Sequence, residues 1–581
     1  MAEEASSPTG QAGTAIGAAS LFIQVFQGCL TGFSLWKHDK NVGTDALIFK
    51  VRLDLQAAKF RAWAFEWGLH KGTDSPYFRD ERFKTYNDEA VQAVLTIYSI
   101  LADLGGLQVE NPLLAAAGKH EVTPAASFSN MHRFSDPDSI ERKYWVKKME
   151  TIREDVSLHQ RLRWALESGT ADKILENLER MIGDLYQLFP PVRNDPAVPV
   201  IMNQSLPTEQ LPVLNEINPS TVDDPLLIGL ARLKAATTDL QARASALEQI
   251  NVNRKMRDLK GAKYSGKERR SIGRFQNEDV LVEWKAVDAT LAEARGDGVV
   301  FGTVMDQRIK NIARLLRSDN KPEELRTLTC LGVVTTTGTS DFSKQYGMLY
   351  QIPSTTYSTL SDALETSKND FFLEDRFSLA VVLAKAMLYL HLAGWLHKGI
   401  RGDNIVFFVQ DDTKYDLSKP YLVGFEYSRE SRPNAQTEDV LEDTESNLYR
   451  HPEVQGVPRE LPEQSGLSEP QKTRPPFSAK HDIYSLGIVL LEIGLMKSAW
   501  SMFETAKTQQ DYKSHSAANF RAWLLESQVP CLGPLAGRSY MEAVRSCITG
   551  ELSLEGRTLA EAFYVDVVQK VTGPSSVDIG P

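Results

Sequence analysis

The sequence predicts an all-α helical bundle followed by a second domain of mixed α+β class. Length is the first indication, because 581 residues exceed what one hydrophobic core usually holds and favour several domains. The second is the apolar periodicity of residues 51–101 and 138–189, which has the spacing of amphipathic helices. The third is a change after about residue 270, where β-prone apolar runs alternate with long helical stretches.

Composition is that of an ordinary globular protein and argues against several functional classes. A net charge of -11 argues against a nucleic-acid partner, because phosphate binding needs clustered cations. The start, MAEEASS, is acidic where a secretory signal is basic. The four cysteines are widely spaced and predict neither a disulfide framework nor a metal site. We therefore expect a cytoplasmic protein. The cysteines are Cys29, Cys330, Cys531 and Cys547.

The N-terminal segment carries no charged residue from Ala5 to Trp36. Its richest part, residues 14–36, has about the length of a membrane-spanning helix. Gln24, Gln27 and several glycines dilute its hydropathy, so two compatible hypotheses stand: a buried first helix of a soluble bundle, or a segment that inserts into a membrane on activation. The apolar residues of this candidate membrane-active segment are Ile16, Leu21, Phe22, Val25, Phe26, Leu30, Phe33 and Trp36.

The helices that follow predict an antiparallel bundle. In VRLDLQAAKFRAWAFEWGL, Val51, Leu55, Ala58, Ala62 and Phe65 lie at spacings of three and four, which is one stripe of an amphipathic helix. The run AVQAVLTIYSILADLGG repeats the pattern and ends at a glycine pair. Residues 138–189 add a long helical stretch that breaks near Gly169.

The order of these parts resembles the HeLo domain of fungal heterokaryon-incompatibility and prion-inhibition proteins. The resemblance covers about residues 13–225 and rests on the small-residue-rich apolar start, LDLQAAKFRAWAFEWG, and RLRWALE before the last long helix. It implies a helical bundle whose N-terminal segment attacks membranes and causes cell death. The chain's end, VTGPSSVDIGP, lacks a family-type amyloid repeat, and we expect residues 573–581 to form a disordered tail.

Residues 226–270 are predicted to form a helical and basic linker. The stretch from residue 253 to 271 carries eight Lys or Arg against Asp258 and Glu268. Two interpretations remain open. The stretch is a solvated linker, or it contacts anionic lipid headgroups, where each basic residue near the surface contributes about 1 kcal/mol.

The remaining residues resemble a protein kinase domain, over about residues 271–572. A β-prone run ends in Lys285, a long helical run leads into GWLHKGIRGDNIVFF, and YLVGFEYSRE, LYRHPEV and HDIYSLGIVLLEIGL follow. The divergent kinase-like domain often attached to HeLo domains has this order. The resemblance implies a bilobal α+β fold, and it assigns to Lys285 the contact with nucleotide phosphates and to Asn404 a contact with metal.

The catalytic positions of the kinase pattern are degenerate. The loop aspartate that accepts the substrate proton is replaced by Gly399, and the metal-binding aspartate of the D-F-G motif by Gly424. No glycine-rich phosphate loop precedes Lys285, only a single Gly273. Structural matches to the family pattern remain at His397, Arg401, Phe425, Pro452, Glu453 and Asp482.

The structural positions of the kinase pattern are kept and the catalytic positions are lost, which predicts a pseudokinase. Phosphoryl transfer depends on a metal ligand and a general base, and the sequence lacks the aspartates that serve as both. Bound ATP with Mg²⁺ has weak support. Asp403 and Glu426 are alternative metal ligands, although each is more simply a surface or salt-bridged carboxylate. The acidic segment between Gly424 and Glu453 also offers phosphoacceptors: Ser428, Ser431, Thr437, Thr444, Ser446 and Tyr449.

Three functional hypotheses follow. The first is a cell-death effector in which a pseudokinase-like sensor, answering to an unidentified signalling protein or ligand, controls a bundle that acts on membrane lipids, with recruitment to membrane and self-association on activation. The second is an atypical active kinase with a regulatory bundle. The third is a non-catalytic scaffold without membrane action.

Overall fold

A computed structural model describes the chain in two compact units, Met1–Arg232 and Leu233–Pro581. The described residues are 22–23, 25–30, 32–33, 44–104, 170–191, 195–202, 226, 229–230, 233–234, 252–264, 269–288, 298–317, 321–337, 343–366, 371–409, 416–431, 444–455, 475–508, 517–554 and 557–572. The predicted tail, residues 573–581, lies outside them, as do residues 138–169 of the predicted long helical stretch.

The first unit is helical, as the sequence predicts. Two indoles meet at one carbonyl, because Trp63 and Trp67 each donate Nε1–H to the backbone oxygen of Phe189 at 3.1 Å. Arg52 pairs with Asp172 at 2.8 Å on the more exposed side. The helices are Thr44–Glu66 (α1), Glu81–Leu104 (α2), Thr170–Leu188 (α3) and Ala197–Met202 (α4).

The described residues of the N-terminal helical segment, 22–23, 25–30 and 32–33, contribute buried side chains to the core of this unit. Phe22, Val25, Phe26 and Phe33 are each at most 5% exposed. The Phe22 ring stacks on Tyr77 at 5.2 Å between centroids. Leu30 is partly buried against the same core. Ile16, Leu21 and Trp36, also named as membrane-active candidates, lie outside the described residues.

Aromatic and aliphatic packing therefore holds the segment in place. Phe26 and Phe33 both pack on Phe60, at 5.1 and 6.0 Å between ring centroids. The thiol of Cys29, fully buried, donates to the carbonyl of Val94 at 3.4 Å. Burial of one such side chain stabilises by about 1.5–3 kcal/mol, so the segment is a substantial part of this core.

The second unit mixes a six-stranded sheet with helices, in agreement with the predicted α+β class. The strands follow the order β1-β5-β6-β4-β3-β2, antiparallel except where β1 pairs with β5. They are Asn253–Arg254 (β1), Leu259–Lys260 (β2), Arg270–Phe275 (β3), Glu278–Asp288 (β4), Cys330–Thr337 (β5) and Ser343–Gln351 (β6). Helix Gly298–Arg317 (α5) connects β4 to the later strands.

The sheet begins earlier than the boundary predicted at residue 271. Strand β1 pairs with Val333 and Val334, and β2 pairs with Arg274 and Phe275. These residues belong to the sheet because Leu259 and Ala262 pack into its core. The residues described between 252 and 264 are thus not a linker, which corrects the predicted domain boundary.

The rest of the second unit is mostly helical. Helix α8 carries a single run of buried residues from His481 to Leu495. The further elements are Tyr357–Thr359 (β7), Leu360–Thr366 (α6), Leu373–Leu392 (α7), Trp395–Leu396 (β8), Ile405–Phe408 (β9), Tyr421–Leu422 (β10), Arg429–Glu430 (β11), Ala479–Leu495 (α8), Ala499–Lys507 (α9), Ala517–Trp523 (α10), Leu532–Ala536 (α11), Arg538–Thr549 (α12) and Leu559–Phe563 (α13), with single turns at Thr444–Asn447 and Gln569–Val571.

No single helix among the described residues has the length and hydropathy of a membrane span. Helices α8 and α9 meet that test only as a pair, and they are bent by 85°.

Candidate functional site

A buried aspartate on α8 fixes the loop that resembles the kinase catalytic loop. Asp482 is fully buried and accepts the backbone N–H groups of His397 and Lys398, both at 2.8 Å. His391 Nε2 lies 3.3 Å from the same carboxylate. Burial alone would raise the pKa of Asp482, but the contact with His391 and these N–H groups hold it below its usual value. The carboxylate therefore stays charged and orders the loop.

At the two positions where the kinase pattern has aspartates, Gly399 and Gly424, other groups fill the space. A Cβ atom placed on Gly424 would lie 2.2 Å from Asn404 Nδ2, and Gly424 has a φ of +84°. A Cβ atom on Gly399 would lie 3.0 Å from the Gly424 carbonyl oxygen. Asn404 Nδ2 donates to the Gly399 carbonyl at 2.6 Å. The two glycine backbones and Asn404 thus occupy the space that carboxylate side chains would need.

A guanidinium connects the sheet to this loop. Arg270, on β3, donates through Nη1 to the Asp403 carbonyl at 2.6 Å and through Nη2 to Asn404 Oδ1. Its Nε pairs with Glu283 Oε1 at 2.8 Å. Glu283 in turn accepts the Gly424 N–H, at 2.8 and 3.1 Å from its two oxygens. We call Arg270, Glu283, Asn404 and Gly424 the polar cluster.

Lys285 lies beside the polar cluster but points to a backbone oxygen. Its Nζ donates to the Glu426 carbonyl at 2.6 Å and lies 4.5 Å from the centre of the Tyr427 ring. Asp306, an acidic residue on α5, pairs with Lys310 at 2.5 Å. The Lys285 side chain therefore contacts a backbone carbonyl and an aromatic ring beside the polar cluster.

The two alternative metal ligands have other partners. The Asp403 carboxylate lies 3.8 Å from Arg401 Nε. Glu426 lies 3.7 Å from Arg269, and although burial opposes it, the charges of Arg269, Arg270 and Arg401 hold the pKa of Glu426 below its usual value. Both carboxylates face guanidinium groups, which repel a metal ion.

These residues do not fit a magnesium–nucleotide complex. Asn404 Oδ1, the oxygen that would bind a metal, already accepts from Arg270. Gly424 supplies no carboxylate, and its N–H is held by Glu283. The positive charge that Mg²⁺ would bring is instead provided by a side chain.

The remaining residues that match the kinase pattern lie in different surroundings. His397 is fully buried, its ring lies 4.4 Å from Phe425, and burial lowers its pKa to about 4 against the opposing charge of Asp482. Arg401 donates to Ser446 Oγ at 2.6 Å. Pro452 begins a short 3-10 turn, Pro452–Val454. The Glu453 side chain is 64% exposed.

Three of the predicted phosphoacceptors are buried hydroxyls with partners. Ser428 donates to the His397 carbonyl at 2.8 Å, and Tyr449 donates to Glu492 at 2.7 Å. Ser446 is the acceptor for Arg401. Ser431 and Thr444 are exposed, and Thr437 lies outside the described residues. Exposure therefore leaves Ser431 and Thr444 as the accessible hydroxyls among those described.

Sequence reasoning missed Arg270 and Glu283. A signal for Glu283 was present, because alternation along β4 places Val280, Val282 and Trp284 in one buried cluster and leaves Glu283 on the face of Lys285. Arg270 carried no such signal. It stood in a basic run, and its role depends on the strand register that pairs it with Glu283.

Comparison with protein families matches each half of the chain to a different family. A search of curated proteins finds no match. Residues 307–562 match a domain of unknown function, DUF7580, which carries no kinase designation. Residues 13–213 match the HeLo family, described by prion inhibition and propagation, and this confirms the HeLo part of the resemblance.

Proposed function

We propose that this chain is a non-catalytic, signal-regulated effector of fungal incompatibility or cell death. Its HeLo-like bundle acts on membrane lipids, and its C-terminal unit is a pseudokinase-like sensor. The resting protein is cytoplasmic, and an upstream protein or ligand recruits it to membrane, where copies self-associate. HeLo domains are associated with fungal incompatibility and cell death, and residues 13–213 match that family.

The observation that carries the proposal is the burial, within the HeLo-like bundle, of apolar side chains from the described part of the uncharged N-terminal segment. Phe22, Phe26 and Phe33 are core side chains, although the segment has nearly the length and apolar character of a membrane helix. Such a segment can exchange a protein core for a lipid core at little cost in apolar burial. A signal shifts that exchange only if it binds the two states with different affinity.

The polar cluster supports a sensor without phosphoryl transfer. The structural parts of the kinase pattern, such as the Asp482 brace, keep their contacts. The catalytic parts of the pattern are not kept. Arg270 donates to Asn404 Oδ1, the oxygen that would bind a metal, and glycines stand at both aspartate positions. A domain with this arrangement can bind a partner or a ligand and change shape without turning over ATP.

Dye release from anionic liposomes tests the effector half. We would compare residues 1–232, residues 37–232 and the full chain, with circular dichroism to check that each piece folds. We expect leakage from residues 1–232, loss of leakage without residues 1–36, and restraint in the full chain. Leakage that does not depend on residues 1–36, or none from any piece at any lipid composition, would contradict the proposal and favour the scaffold.

Nucleotide binding tests the sensor half separately. We expect ATP with Mg²⁺ to leave the unfolding temperature of the full chain unchanged, since a ligand of the folded state alone would raise it. We also expect no phosphate transfer to a general protein substrate. Magnesium-dependent ATP turnover that Asn404→Ala or Lys285→Ala abolishes would establish the atypical kinase instead.

A further inference from the structure

Two histidines and a glutamate converge where the turn Pro452–Val454 meets the start of α8. His451, Glu453 and His481 each offer one ligand atom, and these atoms lie within 4.8 Å of one another. Glu453 Oε2 is 3.7 Å from His451 Nδ1 and 3.8 Å from His481 Nε2. None of the three belongs to the polar cluster, and the function proposed above does not use them as a group.

We propose that His451, Glu453 and His481 bind a Zn²⁺ ion that links the turn Pro452–Val454 to helix α8. Two imidazole nitrogens and one carboxylate are a ligand set that zinc accepts, with water in the fourth position. Bond lengths of about 2.0–2.2 Å in a tetrahedron separate ligand atoms by roughly 3.3–3.6 Å. The observed 3.7 and 3.8 Å lie a few tenths of an ångström from that range, and the two histidine ligand atoms lie within 4.8 Å of each other.

Packing brings the three residues together independently of any metal. Val454 and Phe477 share a small apolar cluster with Leu396. The Phe477 ring lies 5.0 Å from His481, and the His451 ring lies 4.9 Å from Tyr484. The histidines are therefore held by neighbours, while the more exposed Glu453 can move to complete the site. This preorganisation reduces the entropy that ligation must overcome.

Metal binding requires one change of tautomer. His481 Nδ1 accepts the Ser478 N–H at 2.9 Å, so the neutral ring carries its proton on Nε2. For Nε2 to bind zinc, the proton moves to Nδ1, from which it can be donated to Ser478 Oγ, 3.4 Å away. The change gives up a helix-capping bond worth about 1 kcal/mol. His451 Nδ1 gives up only a long contact of 3.3 Å with the Glu453 N–H.

The charge of Arg521 opposes the ion. Arg521 acts electrostatically on His451. Its guanidinium donates to the carbonyls of Ile548 and Thr549, both at 2.9 Å. We therefore expect a moderate zinc affinity that depends strongly on the charge of Glu453.

Cobalt binding to the full chain tests the site. Co²⁺ reports tetrahedral nitrogen and oxygen ligation by its visible absorption, and Zn²⁺ then displaces it. All proteins carry Cys531→Ser, because Cys531 is an exposed thiol that could bind metal by itself. We expect one ion per chain, and at least tenfold weaker binding in Glu453→Gln and His451→Asn. Asn at position 451 can still cap the turn.

The control is Glu551→Gln, which neutralises an exposed carboxylate elsewhere and should bind metal as the parent does. Zinc should also raise the unfolding temperature of the parent but not of Glu453→Gln, whose metal-free stability should match the parent's. Absence of a cobalt spectrum in the parent, or equal affinity in the parent and both ligand variants, would overturn the proposal.

Discussion

At the residue scale, Gly424 determines whether a carboxylate can be placed in the polar cluster. Its positive φ is easy only for glycine, and the neighbouring Asn404 amide leaves no space for a side chain. An aspartate therefore does not fit at position 424 by substitution alone. Placing it there would require that Asn404 and Arg270 also move.

We expect Gly424→Asp, alone or with Gly399→Asp, to give no kinase activity and to lower the free energy of unfolding by about 2–4 kcal/mol. Gly550→Asp is the matched control. Gly550 has a similar φ of +76° but nothing within 4 Å of its Cβ position, so it shares the backbone strain without the clash. Urea denaturation measures the loss of stability, and an ATP-turnover assay measures activity. A gain of ATP turnover would contradict the conclusion that Asn404 leaves no space for a carboxylate at position 424.

A second residue, Glu492, makes stability depend on pH. It is fully buried and accepts the Tyr449 hydroxyl at 2.7 Å and the Ala499 N–H at 2.6 Å. Burial raises its pKa to about 8, with those two bonds opposing and Asp403 adding to the rise. Because the folded state holds this proton more tightly, the group's contribution to stability is complete below about pH 4 and is lost as pH rises to about 8.

We therefore expect Glu492→Gln, which stays neutral, to remove that part of the pH dependence. Between pH 5 and 9 the free energy of unfolding of the parent should fall relative to that of the variant. Urea unfolding at each pH measures the difference. Parallel profiles for the two proteins would show that Glu492 is ionised in the folded state at neutral pH.

At the scale of elements, the N-terminal helical segment can be tested by locking it in place. A Cβ atom on Gly32 would lie 3.2 Å from Leu101 Cβ on α2. Disulfides join Cβ atoms about 3.5–4.5 Å apart, so Gly32→Cys with Leu101→Cys can form one after a small shift. Cys29→Ala removes the neighbouring thiol as a competitor.

In residues 1–232, we expect the oxidised double variant not to cause liposome leakage and the reduced form to cause it. The reason is that the proposed insertion requires the segment to leave the core. Leu101→Cys alone controls for lost packing at a buried position. Equal leakage by the oxidised and reduced forms would mean that membrane action does not use this segment.

How far the elements could be predicted depends on the range of their contacts. The helix over residues 51–66 and the β4 run were readable, because each has a local period. The start of the sheet at Asn253 was not, since two short strands in a basic run show no period and gain their structure from β5 and β3. Likewise, Asp482 and Asn404 stood in recognisable motifs, whereas Arg270 acquires its role only through strand pairing.

For the whole molecule, the distribution of charge bears on the membrane contact proposed above. The net charge of -11 should repel anionic lipid, yet exposed cations stand together near the start of the sheet. We call Lys255, Arg257, Lys260 and Lys263 the basic edge; all four are exposed. Each cation near an anionic surface contributes about 1 kcal/mol, and salt screens that attraction.

We expect replacement of the basic edge by glutamine to weaken co-sedimentation with phosphatidylserine vesicles, and more at low salt than at high salt. The matched control replaces four other exposed cations, Lys419, Lys480, Arg538 and Arg545, and changes the net charge equally. An equal loss in both proteins would mean that only net charge matters, and that the basic edge is an ordinary solvated surface.

The guanidinium of Arg270 supplies a positive charge at Asn404 that does not depend on the metal concentration in solution. A metal ion must be captured from the surrounding solution, whereas this cation is attached to the chain and is present once in every folded copy. Its effective concentration at Asn404 is set by tethering and not by the cell. We therefore expect the polar cluster to keep its contacts in the presence of a metal chelator and in the absence of ATP.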